Sequence, residues 1–367
     1  MAERRLKDTR ALTGLRFLAA FHVLLLHELP DQINGASDTV NILLERTAAL
    51  SVFFVLSGLL ISLGSGTESW PRSRARSFLI RRMAKTLPLY YVGFLFFIPI
   101  FFYRTEFVYE TDFSRVVEAL VANLLNIQAF LPHVPEPWYI NRPAWTIGVF
   151  LTCYITFPRV HDRLRRWRPS LLVGVFWICF FFSQALVFVM ELTLDTSTTE
   201  LEIIHKFPFV RIFEFYMGVA VGTWLNVKES PTEVPSNTVV PISIAILLLF
   251  VFLPIEFDNY IHNGLLTPLF IILFLGSSTG KDRVLDFLRK GPIHRLGEAS
   301  YSFYIMHLPI ANYISAVIVI STGVSWRFTP EFILIDLIVV LPLSIWAYSR
   351  FEEPWRQRII ERYSDRA

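Results

Sequence analysis

The chain has 367 residues, 53% of them hydrophobic and only 18% charged, with a formal net charge of +3. That balance excludes an ordinary soluble domain of this length. The two cysteines, Cys153 and Cys179, both fall in apolar stretches, which excludes a disulfide framework, and no Cys/His spacing suits zinc or another metal.

Apolar stretches of 17 or more residues recur along the whole chain. They predict an all-α, polytopic membrane bundle of about ten transmembrane helices, forming one domain over 1–367 with no separate soluble domain. The first stretch, 12–29, carries Arg16 and His27 and lacks a small-residue cleavage site, so it reads as a retained span. Eleven helical steps separate the two residues, three turns plus about 20°, which puts them on one helix face about 16 Å apart along the axis. Ionisable groups inside a span are costly and mark cavities or pathways. His22 lies about 140° around the helix from His27 and is expected to pack.

The second span, 47–65, contains Phe53-Phe54-Val55-Leu56-Ser57-Gly58, where small residues allow close helix approach. A basic stretch, Arg81-Arg82-Met83-Ala84-Lys85, then leads into the third span, 86–103. Its charges read either as topology anchors or as an anion site for a phosphorylated cytoplasmic ligand. The stretch 116–131 is apolar but carries Glu118, Asn123, Asn126 and Gln128, which favours an amphipathic or re-entrant segment at the outer side. Spans follow at 145–158, 170–191, 208–226, 239–256, 262–278, 299–320 and 331–349. Arg211 and Glu214 stand at i and i+3 in the sixth of the ten, where they suit an internal ion pair. Asp336 in the last has no evident partner in the sequence.

Alternate loops are strongly basic. Arg4, Arg5, Lys7 and Arg10 precede the first span, the groups 72–85, 159–168 and 281–295 follow, and Arg350 to Arg366 close the chain. The opposite loops hold only Arg46, Arg104, Arg115, Arg142, Lys206 and Arg327. By the positive-inside rule both termini are cytoplasmic. The basic loops lack the interleaved aromatics of a nucleic-acid surface, so no nucleic-acid partner is expected.

Taken in order, these motifs resemble the acyltransferase-3 family of integral membrane acyltransferases. The matching residues are Arg16 and His27, Phe-Phe-x-x-Ser-Gly at 53–58, and Arg82-x-x-Lys85. The tryptophan-led Pro143-Ala144-Trp145 and the Phe-x-x-Gly element ending at Gly218 continue the series. It closes with Leu296-Gly297, Ser300-Tyr301-Ser302, His307-Leu308-Pro309 and Glu352-Glu353-Pro354. The resemblance implies transfer of an acetyl or other short acyl group from cytoplasmic acyl-CoA to a hydroxyl of a cell-surface or exported glycan or glycolipid, in a bacterial inner membrane. It implies that Arg81, Arg82 and Lys85, with Ser57, hold the CoA, and that Arg16 steers the donor inward. His27 would act as general base or transient acyl carrier. His307, Glu214, Arg211, Trp145 and Tyr301 would line the substrate cavity. The family usually carries a glutamate five residues after the tryptophan, and here that position is Phe150. Glu28, Asp31 or Glu214 could replace that carboxylate in space. A proton-coupled transporter and a catalytically silent scaffold are the rival readings.

Overall fold

A computed structural model describes residues 8–29, 46–107, 112–131, 140–194, 204, 206, 208–228, 234–279 and 283–363. Asp31, Lys281, Arg366 and the first three basic residues of the N-terminus (Arg4, Arg5 and Lys7) lie outside them. Among the described residues every regular element is helical. In chain order these are α1 (Arg10–Glu28), α2 (Ala49–Ser65), α3 (Arg72–Phe107), α4 (Phe113–Leu125) and α5 (Trp145–Leu164). Then come α6 (Pro169–Thr193), α7 (Pro208–Val227), α8 (Val239–Phe252), α9 (Asp258–His262) and α10 (Thr267–Thr279). The rest are α11 (Arg283–Arg289), α12 (Gly291–Glu298), α13 (Ser300–Thr322), α14 (Pro330–Ala347) and α15 (Glu353–Tyr363).

Each of the ten expected spans coincides with a helix, but fewer meet the demands of a crossing by length and apolarity. Five do: α1, α3, α6, α13 and α14. A sixth is counted if α8 and the following segment to His262, bent by 117°, form one span. The 17-residue α2 and the α10 helix are shorter apolar helices, and α7 is diluted by its two buried charges, Arg211 and Glu214. The segment expected at 116–131 is α4, whose 13 residues reach only about 20 Å, short of a hydrocarbon core. Its inward side is Val116, Ala119, Ala122 and Asn123. Asn123 donates to the Ala119 carbonyl at 2.8 Å and accepts from the Ile140 amide at 3.2 Å, and the Tyr90 hydroxyl donates to the Asn123 carbonyl.

Two local features position the site. First, α2 and α7 lie almost backbone to backbone. A Cβ on Gly58 would fall 2.0 Å from the Phe215 carbonyl oxygen, and one on Gly218 would fall 2.0 Å from that of Val55. Glycine is required at this crossing, and the contact is reinforced by Ser62 and Thr223, whose hydroxyls are 2.8 Å apart. Gly58 therefore packs, while its neighbour Ser57 is left facing the interior. Second, α3 is continuous over 36 residues, about 54 Å, so the basic stretch expected to be a loop is its first turns. Phe78, Arg82 and Lys85, spaced i, i+4 and i+7, share one helix face.

Candidate functional site

Three cavities lie in series through the bundle. The inner one, about 450 Å³, is lined by Trp70, Arg74, Phe78, Arg81, Arg82, Lys85 and Arg356, among others. The central one, about 210 Å³, shares Leu60, Ile61, Arg82 and Lys85 with it. The outer one, about 170 Å³, contains His27 and shares Leu50 and Tyr304 with the central cavity.

The inner vestibule is cationic and aromatic. The Arg82 guanidinium sits 5.4 Å from the Phe78 ring centre and 5.7 Å from that of Tyr154, so its orientation is set by two π faces. Arg74 lies 4.4 Å over Trp70 and donates to the Ser65 carbonyl at 2.6 Å. The Trp70 indole donates to His161 Nδ1 at 2.8 Å. His161 sits beyond the apolar stretch 145–158. Burial, then the positive charges of Arg74 and Arg165, push its imidazole down to about 4, which keeps it neutral and able to accept that bond. Arg356 is bidentate to Glu353, at 2.6 and 2.7 Å.

Where the vestibule meets the central cavity, Arg16 and Lys85 share one carboxylate, with Arg82 beside them. Glu352 lies within electrostatic reach of Lys85 and Arg16 and accepts from the Ser302 hydroxyl at 2.6 Å. A π-helical turn, Tyr348–Glu352, places it there by inserting an extra residue between α14 and α15. Arg16 donates to Thr13 at 3.4 Å, and its buried Nε has no hydrogen-bond partner among the described residues. Ser57 is hydrogen-bonded to Tyr154, and the Tyr301 hydroxyl donates to the Thr86 carbonyl at 2.5 Å, tying α13 to α3. Ser57, Tyr301 and Phe150 all line this cavity.

The outer cavity is built around His27, with Trp145, Arg142, Lys206 and His262 in its wall. His307 backs the His27 ring, stacked at 5.6 Å and 22°. Its Nδ1 is 2.9 Å from the Tyr304 carbonyl, and it is fully buried. His307 therefore supports His27 from behind and is not among the residues lining these three cavities. Glu214 and Arg211 are likewise not among that lining, and they form the internal ion pair their spacing suits. Both are fully buried and paired at 2.9 Å. Glu214 accepts from Ser51 at 3.1 Å, and Arg211 donates to the His262 carbonyl at 2.8 Å, so the pair braces the outer wall without reaching the cavity. Glu28, one residue after His27, points to Arg327 at 2.9 Å. Neither Glu28 nor Glu214 stands where the absent glutamate would; that position is filled by Phe150, stacked on Phe54 at 4.2 Å. Arg16, Ser57, Lys85, Arg82, Arg81, Trp145, Tyr301 and His27 are the expected residues that line the series.

Sequence reasoning passed over Glu352 as a functional group, although its motif was recognised, and gave no role to Trp70, Tyr154 or Arg356. The basic, aromatic segment from Trp70 to Lys85 and the distant Glu352-Glu353-Pro354 were the available signals; the π-helical turn that brings Glu352 to Lys85 was not.

A polar, cationic mouth leading to an imidazole through a largely apolar channel suits an anionic ligand with a thin, mostly uncharged arm. Comparison with known proteins agrees in kind. The chain belongs to the acyltransferase-3 family: the family's acyltransferase domain matches residues 9–349. Acyltransferase MdmB of Streptomyces mycarofaciens is 27% identical over 319 residues, 83% of this chain and 79% of that protein. Exopolysaccharide production protein ExoZ of Rhizobium meliloti (strain 1021) is 24% identical over 272 residues, 71% of this chain and 75% of that protein. O-acetyltransferase OatA of Staphylococcus aureus (strain NCTC 8325 / PS 47) is 23% identical over 370 residues, 95% of this chain but only 57% of OatA's length. No solved structure matches the chain at a significant level. With its apolar helices, the family places the chain among integral membrane acyltransferases.

Proposed function

We propose that this protein is a ten-span acyltransferase of a bacterial inner membrane, with both termini cytoplasmic, that moves an acetyl or other short acyl group from cytoplasmic acyl-CoA to a hydroxyl of a cell-surface or exported glycan. The observation that carries this reading is the series of cavities from the cationic vestibule to His27. Arg81, Arg82 and Lys85 face the nucleotide phosphates, since guanidinium and ammonium groups are the natural phosphate partners. Arg16 neutralises charge at the entry to the central cavity. The pantetheine arm follows the central cavity and brings the thioester to the Leu50–Tyr304 waist. The acceptor hydroxyl approaches from the outer cavity.

In the transfer, the hydroxyl oxygen attacks the thioester carbonyl carbon. The new C–O bond forms, the C–S bond breaks, and the hydroxyl proton passes to His27 and from there to the departing thiolate, giving ester and free CoA. Stacking on His307 holds the His27 ring in orientation through both proton transfers.

The test has two arms. Purified protein in nanodiscs is incubated with acyl-labelled acetyl-CoA and release of free CoA is followed; surface glycans of cells with and without the gene are compared by mass spectrometry. The reading expects His27-dependent CoA release and a glycan acyl mass that disappears on deletion. No CoA release together with an unchanged glycan profile would reject it.

A further inference from the structure

The central cavity has two kinds of lining. Arg16, Thr86 and Tyr301, from α1, α3 and α13, give it polar lining, while Leu50, Phe53 and Phe54 of α2 with Ile147 and Phe150 of α5 make an apolar wall, broken only by Ser57 on the same α2 face. Phe150 is the centre of that wall. It stacks on Phe54 at 4.2 Å and 19°, and on Tyr154 at 5.9 Å and 25°. No carboxylate lines this cavity among the described residues named for it. The wall runs up to Leu50, which also borders the His27 cavity.

A donor arm with amide groups is held by the polar lining, because buried amides need partners. That leaves the apolar wall to whatever hangs from the thioester carbonyl. An acetyl group presents one methyl to the wall and leaves most of it wet, which is unfavourable for an aromatic surface.

We propose that the donor carries an apolar acyl chain longer than acetyl, laid along Ile147 and the Phe54–Phe150 stack, and that Phe150 is the residue that selects it. This rests on acyl-CoA being the donor. With the carbonyl at the Leu50–Tyr304 waist, the chain folds back along the wall while the sulfur stays on the polar lining. Each methylene that moves from water onto the wall strengthens binding about fourfold.

The full-length protein in nanodiscs tests this through displacement of radiolabelled CoA by acetyl-, propionyl-, butyryl- and hexanoyl-CoA. Affinity is expected to climb about fourfold per added methylene as far as butyryl. A flat series, or tightest binding of acetyl-CoA, overturns the inference while leaving CoA as the donor. Failure of CoA itself to bind overturns the donor reading and this inference with it. Phe150→Glu is expected to flatten the slope to below about twofold per methylene. Phe150→Leu keeps the wall apolar and the slope intact, with the best chain displaced toward greater length. A slope that survives in Phe150→Glu protein of normal elution profile removes Phe150 from the selecting role.

Discussion

Glu352 offers the sharpest test of the inner half of the site. Its carboxylate is a shared counter-charge for Arg16 and Lys85, with Arg82 close by, in a region of low water content. Glu352→Gln keeps the size and the ability to accept from Ser302, and removes only the charge. Breaking a buried charge arrangement by deleting one member costs about 3–5 kcal/mol, because the remaining charges stay desolvated. The ligand-free variant is therefore expected to melt several degrees below the wild type. On the proposed reading, CoA phosphates supply negative charge at the same cations. Added CoA should thus raise the melting temperature of the variant more than that of the wild type, narrowing the gap. Ligand stabilisation grows as RT ln(1 + [L]/Kd), so a tenfold tighter Kd adds about 1.4 kcal/mol at saturating CoA. The assay is thermal unfolding of the detergent-solubilised protein across a CoA titration, with the elution profile as control. An unchanged melting temperature without CoA, or equal CoA-induced shifts in both proteins, would refute the shared counter-charge.

Three further outcomes follow from the geometry. Gly218→Ala forces a Cβ to within 2.0 Å of the Val55 carbonyl oxygen, so α2 and α7 must part; a loss of about 3 kcal/mol or more is expected in urea or thermal melts, whereas Gly174→Ala on α6, with open space around it, should be neutral. Arg211→Ala leaves Glu214 buried and unpaired and should lower stability by about 3–5 kcal/mol while leaving CoA affinity unaltered, as read by CoA displacement. For His161 the sign runs with burial: the native imidazole titrates near 4 and the unfolded one near its ordinary value of 6.5. Stability is fully present above about pH 6.5 and falls as pH drops toward 4, and His161→Gln should remove that slope from pH-dependent melting curves.

The sequence was most legible where one residue type has one physical use. The small residues Ser57-Gly58 announced a close helix approach, which Gly58 makes with α7, and Arg16 and His27, three turns apart, line neighbouring cavities of the series. The Arg211–Glu214 spacing was enough to expect a pair, and a pair forms. What could not be read were facts that depend on three dimensions. His307 and Glu214 are polar residues within apolar runs, and only the packing shows that one braces a ring and the other a loop instead of facing a cavity. Glu352 sits in a motif, but the π-helical turn that swings it between Lys85 and Arg16 has no signature in composition. The number of spans was only partly legible, with five or six of the ten helices meeting the demands of a crossing by length and apolarity. Periodicity marks a helix, whereas crossing also needs length and low polarity, which α7 and α2 do not fully provide.

The waist formed by Leu50 and Tyr304 has an electrical consequence. The cavities on either side, each with ionisable groups in its wall, thin the low-dielectric barrier between them, so in an energised membrane the voltage would drop mainly across this septum. Driving one elementary charge through it would cost or release about 2.3 kcal/mol per 100 mV. A neutral acyl group pays no such toll. For the acyl-CoA donor proposed above, such a septum would sort by charge, holding the phosphates to one side while the uncharged end alone reaches the imidazole, whatever the membrane potential.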